Sequence, residues 1–118
     1  MANLSESPLD RAFAALSEPS RRAMLQHLAR ESELTVGELA RDLPIKLPTV
    51  LKHLNVLSEA GLVHREKQGR TVRVRLNAEP LKTAADWLAR YERFWTHSLD
   101  RLVEVAEAME AAKTVRGQ

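Results

Sequence analysis

Residues 48–76 read PTVLKHLNVLSEAGLVHREKQGRTVRVRL, and this stretch decides the fold. In its first half Val50, Leu54 and Leu57 recur at i, i+4 and i+7, one face of a helix. Gly61 stands where that helix, from about Leu47 to Ala60, has to stop, because the left-handed position after a helix end suits glycine. In the second half the period drops to two. Val72, Val74 and Leu76 alternate with Thr71, Arg73 and Arg75, as in a half-buried strand, and 62–67 fits a second extended segment. Gln68-Gly69 is the turn between them, so the two strands form a β-hairpin.

Upstream, Thr35 can cap a helix, and Glu38 three residues later completes a capping box ahead of Leu39. Leu43-Pro44 ends this short helix, and Pro44-Ile45-Lys46 turns into the helix at Leu47. Two short helices across such a turn have the outline of a helix-turn-helix. Earlier still, 9–16 (LDRAFAAL) reads as a short helix with Leu9, Phe13 and Leu16 on one face. A break follows at 17–20, with Ser17 as the expected N-cap and Pro19 in the first turn of a helix that runs to about Arg30 and buries Ala23, Met24 and Leu28. Downstream, Pro80 to about Lys113 reads as one long helix with a broad apolar stripe. The expected fold is mainly α with a β-hairpin, a winged helix-turn-helix: helices, a two-stranded wing, then a long C-terminal helix.

With Val50, Leu54 and Leu57 turned inward, Pro48, Lys52 and Asn55 lie on the far side of the helix. Thr49 and Leu51 flank that outer face, and His53 sits at its inner edge. A cation, an amide, a hydroxyl and methyl-rich carbon are the groups that read base edges: Asn for adenine, Lys for guanine or phosphate, apolar carbon for the thymine methyl. Lys46 precedes the helix, and Arg65, Lys67, Arg70 and Arg73 lie on the hairpin. Cations there suit a wing on the phosphate backbone or in the adjacent minor groove. These eleven positions are the expected contacts to double-stranded DNA. His53 has a second reading as a hydrogen-bonded support for the helix. Arg21 and Arg22 are further phosphate candidates, with an intramolecular ion pair the competing role for Arg22.

Composition at first argues against such a partner. The chain has 118 residues, 44% of them hydrophobic and 29% charged, with a formal net charge of only +2. Those figures describe one ordinary globular domain. By region the picture changes: 44–76 holds seven cations and two anions, a net of +5, which leaves −3 for the remainder. A basic reading head on an acidic body is the electrostatic footprint of a DNA binder.

Other classes fall away. With no cysteine there is no disulfide scaffold, zinc ribbon, iron–sulfur site or thiol catalysis. No apolar run is long enough to span a membrane, and MANLSESPLD has no secretory pattern, so a cytoplasmic protein is expected. A Gly-rich phosphate loop, a Ser–His–Asp arrangement and paired histidines at metal spacing are all missing, and His27, His53, His64 and His97 are scattered. Neither an enzyme nor a cofactor is expected.

Taken together, LSEPSRRAMLQHLAR (16–30), LTVGELARDL (34–43) and 48–76 resemble the ArsR/SmtB family of bacterial winged-helix repressors. The likeness covers about Leu9 to Met109, and its most specific part is PTVxxHLxVLxxAGLV with the basic hairpin after it. The resemblance implies a homodimer built from the first and last helices, binding a palindromic operator that often lies near the protein's own promoter. On that pattern 9–112 forms one DNA-binding and dimerisation domain between flexible ends at 1–8 and 113–118. Leu9, Phe13, Leu16, Trp87, Tyr91, Phe94, Trp95, Leu99 and Leu102 are the expected dimer interface, since aromatics at helical spacing more often make a subunit seam than an effector pocket. Metal-sensing members carry cysteines where this chain has Thr35 and Gly37, so a thiolate metal site is excluded. Other members hold metal on the last helix. Here the candidates are Asp86, His97, Asp100 and Glu104, but the D-x-H pattern is broken by Leu88, and no metal site is assigned. Two other readings stay beside the repressor: a protein-interaction or ligand-sensor module working through the long helix, and a metal sensor with ligands on it.

Overall fold

The hairpin that ends at Leu76 carries a third strand. In the computed structural model, which describes residues 7–116 and their side chains to 113, β1 (Glu33–Thr35), β2 (Val63–Gln68) and β3 (Thr71–Leu76) form an antiparallel sheet in the order β1-β3-β2. Leu34 pairs with Val74 and Arg65 also pairs with Val74 across the other edge. The sequence reading missed β1, because three residues are too few to show alternation. Its pairing is supplied by β3, some forty positions later. The two-residue loop is Gly69-Arg70, one residue beyond the expected turn, since Gln68 still pairs with Thr71. Gly69 sits at φ 64, the left-handed conformation that such tight hairpin turns require at their first position.

Six helices are described: α1 (Pro8–Leu16), α2 (Pro19–Glu31), α3 (Val36–Arg41), α4 (Leu47–Glu59), α5 (Glu79–Ala89) and α6 (Glu92–Arg116). Ser7 caps α1, accepting from the Asp10 N–H at 3.0 Å, so Ser7 and Pro8 belong to the ordered helix start rather than to the expected loose end. Residues 1–6 lie outside the described residues. Ser17 does not cap α2. It closes α1, its hydroxyl donating to the Ala14 carbonyl at 2.6 Å. With Pro19 as the first helical residue, the cap is the residue just before it: Glu18 is held extended by the proline and accepts from the Ser20 N–H. Within α2, Met24, Leu25 and Leu28 are buried and Ala23 is half-buried.

The long C-terminal helix is two helices. Arg90 and Tyr91 bond back three residues, to the Trp87 and Leu88 carbonyls at 3.2 and 3.0 Å, and the four-residue ladder resumes with Trp95 donating to Tyr91. That tightened turn ends α5 and restarts the chain as α6. Neither Gly nor Pro marks it, so hydrophobic periodicity alone read straight through. α6 continues to Arg116, past the expected end near Lys113, and 117–118 lie outside the described residues.

The chain forms two compact units, divided between Ala84 and Ala85. In the first, Met24, Leu28, Leu39, Val50, Leu54, Leu57, Leu62 and Val74 are fully buried and make one core. Each such side chain contributes about 2 kcal/mol through apolar burial. This core is what orients α4. The second unit is helical and presents most of its large apolar side chains to the outside.

Candidate nucleic-acid interface

The site begins with α3. Thr35 accepts from the Glu38 N–H at 3.1 Å and donates its own N–H to the Glu38 carboxylate at 2.9 Å, the reciprocal box expected from T-x-x-E. The bond from the Thr35 backbone N–H, aided by its hydroxyl, holds the Glu38 carboxyl below the usual carboxylate range. Leu39 anchors α3 in the core, and a short turn delivers the chain to Lys46, the N-cap of α4.

α4 has the two faces its spacing requires. Val50, Leu54 and Leu57 are fully buried, while Pro48, Thr49, Leu51, Lys52 and Asn55 are exposed, with Leu51 at 46%. The helix ends in a Schellman arrangement. Leu62 donates to the Leu57 carbonyl at 2.9 Å and Gly61 to the Ser58 carbonyl at 3.0 Å, with Gly61 at φ 74. Asn77 then ties the end of β3 to this corner, its side chain donating to the Gly61 carbonyl at 2.7 Å and its backbone N–H to Leu62. Asn77 had no signal in the sequence, because it lies one residue beyond the alternating strand.

His53 is half-buried and bonded inside the protein. Its Nδ1 accepts from Arg21 Nη1 at 3.2 Å. The same guanidinium donates to the carbonyls of Ala15 at 2.7 Å and Ala14 at 3.2 Å, so Arg21 joins the C-terminal end of α1 to α4 from its place on α2. His53 is thereby tied to α2, and the Arg21 guanidinium is engaged within the protein. Arg22 is engaged too, but with the Leu16 carbonyl at 2.7 Å in place of the expected ion-pair partner. Both arginines meet carbonyls of the last turn of α1, where a cation complements the helix dipole.

The hairpin divides its cations between two faces. Strand pairing sets Arg65 opposite Val74 and Lys67 opposite Val72, so these two share the side of the sheet that packs toward α4. Arg73 and Arg75 alternate to the other side. There Arg73 donates to Gln68 at 3.0 Å and forms an ion pair with Glu33 of β1 at 3.5 Å, and it is half-buried. Arg73 thus clamps β3 to β1 within the sheet. On the near side, Arg65 Nη2 donates to Asn55 Oδ1 of α4 at 3.2 Å. Arg70 is exposed in the turn, and an open groove of about 350 Å³ runs between it, Leu51 of α4 and Val36-Gly37 of α3. That groove makes the wing tip and the outer face of α4 one surface. Lys46, Lys52, Lys67 and Arg70 are all exposed on these elements.

The expected seam residues fall in both units. In the first, Leu9, Phe13 and Leu16 are half-buried, and Ala12 and Ala15 fill the core face of α1 in their place. In the second, Trp87 packs its ring against Tyr91 with centroids 5.2 Å apart. Tyr91, Phe94, Trp95, Leu99 and Leu102 are exposed, Phe94 by 78% and Leu102 by 64%. Among the described residues no three His, Asp or Glu side chains gather closely enough to hold a metal ion, and His97, Asp100 and Glu104 are no exception. No helix among them is long and apolar enough to cross a membrane.

Residues 16–66 match the helix-turn-helix domain family. The chain is 41% identical over 99 residues to the HTH-type transcriptional regulator Rv2034 of Mycobacterium tuberculosis, covering 84% of this chain and 89% of that protein. It is 28% identical over 83 residues to the transcriptional repressor SdpR of Bacillus subtilis, covering 70% and 91%. Among solved structures it is similar to an ArsR-like transcriptional regulator from Rhodococcus sp. RHA1, with a TM-score of 0.65, 33% identity, and coverage of 86% of this chain and 95% of that one.

Proposed function

Because the chain belongs to the ArsR/SmtB family of helix-turn-helix transcriptional regulators, we propose that it acts as a dimeric repressor on a pseudopalindromic DNA operator. α4 lies in the major groove and the β2–β3 wing runs along the backbone. The observation that carries this reading is the division of α4: its buried Val50, Leu54 and Leu57 lock the helix to the core while Thr49, Leu51, Lys52 and Asn55 stay exposed. A rigid helix with base-reading groups on one side suits direct readout. Lys46, Lys67 and Arg70 hold phosphates beside it.

A second copy supplies the other half-site. Tyr91, just before α6, and Phe94, Trp95, Leu99 and Leu102 on it are large apolar side chains exposed together, and they support a homodimer seam there. The two α4 helices then meet major grooves about 34–36 Å apart. SdpR is a transcriptional repressor, which favours repression here as well. Release from DNA does not use cysteine thiolates, since the chain has none.

The test is a mobility-shift titration on sites selected from random DNA, beginning with DNA upstream of the protein's own gene as the first natural candidate. Asn55→Ala is expected to weaken the selected site by about 1–3 kcal/mol and to relax its sequence. Equal loss on selected and random DNA would remove α4 from base reading. Leu99→Glu with Leu102→Glu is expected to give monomers in sedimentation, and an unchanged dimer would remove the α6 seam.

A further inference from the structure

We infer that Arg65 decides which base Asn55 reads, turning Asn55 from an adenine reader into a donor for guanine. This rests on α4 being the major-groove helix. The bond from Arg65 Nη2 to Asn55 Oδ1 is 3.2 Å long. A guanidinium has donors only, so it can meet the Asn amide only at its oxygen, and the orientation of that amide is thereby set: Oδ1 toward the wing, Nδ2 with its two N–H groups outward.

The arrangement is built into the scaffold. Arg65 stands opposite fully buried Val74 in the β2–β3 ladder, which sets it on the side of the sheet that packs toward α4. Asn55 follows Leu54 on α4, and Leu54 is fully buried. Neither backbone is free to slide, so the two side chains are brought together by the core beneath them.

Adenine recognition by Asn uses both ends of the amide: the oxygen accepts from the adenine N6 amine while the amine donates to N7. Here the Arg65 guanidinium already takes one lone pair of that oxygen, so the adenine amine, itself a donor, is left the other beside a positive charge and competes poorly. Guanine presents two acceptors, O6 and N7, in the same groove. Its edge meets the outward Nδ2 donors without that competition, and the Arg65 charge close by adds to the attraction for an acceptor-rich edge. Arg65 is thus a positioning residue for Asn55, even where it also lies near phosphate.

The experiment is sequence selection from random duplex DNA, read by sequencing, with the full-length wild type and the Arg65→Met, Arg65→Lys and Asn55→Ala variants. Arg65 and Asn55 are both exposed, so the variants keep the core. The wild type is expected to select guanine at one half-site position, and Asn55→Ala to erase the preference at that position. Arg65→Met frees Oδ1 and is expected to move the same position toward adenine by about tenfold, the scale of one well-made base contact. Arg65→Lys, which still donates to Oδ1, is expected to retain guanine. A wild-type preference for adenine there, or an Arg65→Met protein that binds all sequences more weakly with unchanged preference, overturns the inference while leaving base reading by Asn55 in place. Selected sites that are identical for Asn55→Ala and wild type overturn the major-groove reading itself, and this inference with it.

Discussion

Replacing Arg21 by Met tests whether one side chain joins α1 to the DNA-facing helix. The apolar stem survives and three hydrogen bonds go. The strongest runs from Nε to the Ala15 carbonyl, 2.7 Å and partly buried. A charged donor on a sheltered carbonyl is worth about 1.5–3 kcal/mol. The bond to His53 Nδ1, at 3.2 Å and also partly buried, adds about 0.5–1 kcal/mol. The bond to the Ala14 carbonyl is exposed, and water replaces it at little cost. The expected loss is therefore about 2–4 kcal/mol. Urea denaturation should show it as a lower midpoint with an unchanged slope. Arg21→Lys is expected to recover less than half, because a single ammonium cannot span acceptors held by a planar fork. His53→Ala removes only the shared bond, so a double-mutant cycle between Arg21→Met and His53→Ala should give a coupling of about 0.5–1 kcal/mol. A loss below about 0.5 kcal/mol for Arg21→Met, or a cycle that is additive, refutes the assignment of Arg21 as the tie between α1 and α4.

Gly61→Ala should cost about 1 kcal/mol by the same denaturation assay. The new Cβ meets only Pro80 Cγ at 3.6 Å, an ordinary contact, so the cost is the left-handed backbone less the gain from a stiffer unfolded chain. The Glu38 carboxyl is depressed in the folded state, so its contribution is fully present above the unfolded value near 4.5 and is lost as pH falls through the lower folded value. The stability gap between wild type and Glu38→Ala should accordingly be widest near neutrality and close in acid, and a gap that widens in acid would contradict the bonding described. Arg70→Ala should weaken selected and random DNA alike and reduce the slope of log binding constant against log salt by about one, measured by fluorescence anisotropy.

How much of this was legible beforehand depends on how far each signal reaches along the chain. The buried face of α4, the Thr35–Glu38 box, the stop at Gly61 and the alternation of 71–76 each rest on partners within a few residues, and each stands in the structure as read. The basic character of 44–76 was equally visible, since charge is additive and needs no geometry. Local reading failed where two local rules competed or where nothing marked the change. Ser17 and Glu18 are both able to cap, and the proline chose Glu18. At Arg90–Tyr91 the helix changes with no breaker residue.

What the sequence by itself determined is the winged helix-turn-helix and the polarity of its reading helix, because hydrophobic period and capping act over one or two turns. What only the tertiary structure decided is the duty of each cation. Arg65 meets Asn55 ten residues away, Arg21 meets His53 at thirty-two and Arg73 meets Glu33 at forty. A guanidinium is recruited by whichever acceptor the packed core sets within 3 to 3.5 Å of it, and that acceptor is chosen by strand register and helix packing, not by neighbours in the chain.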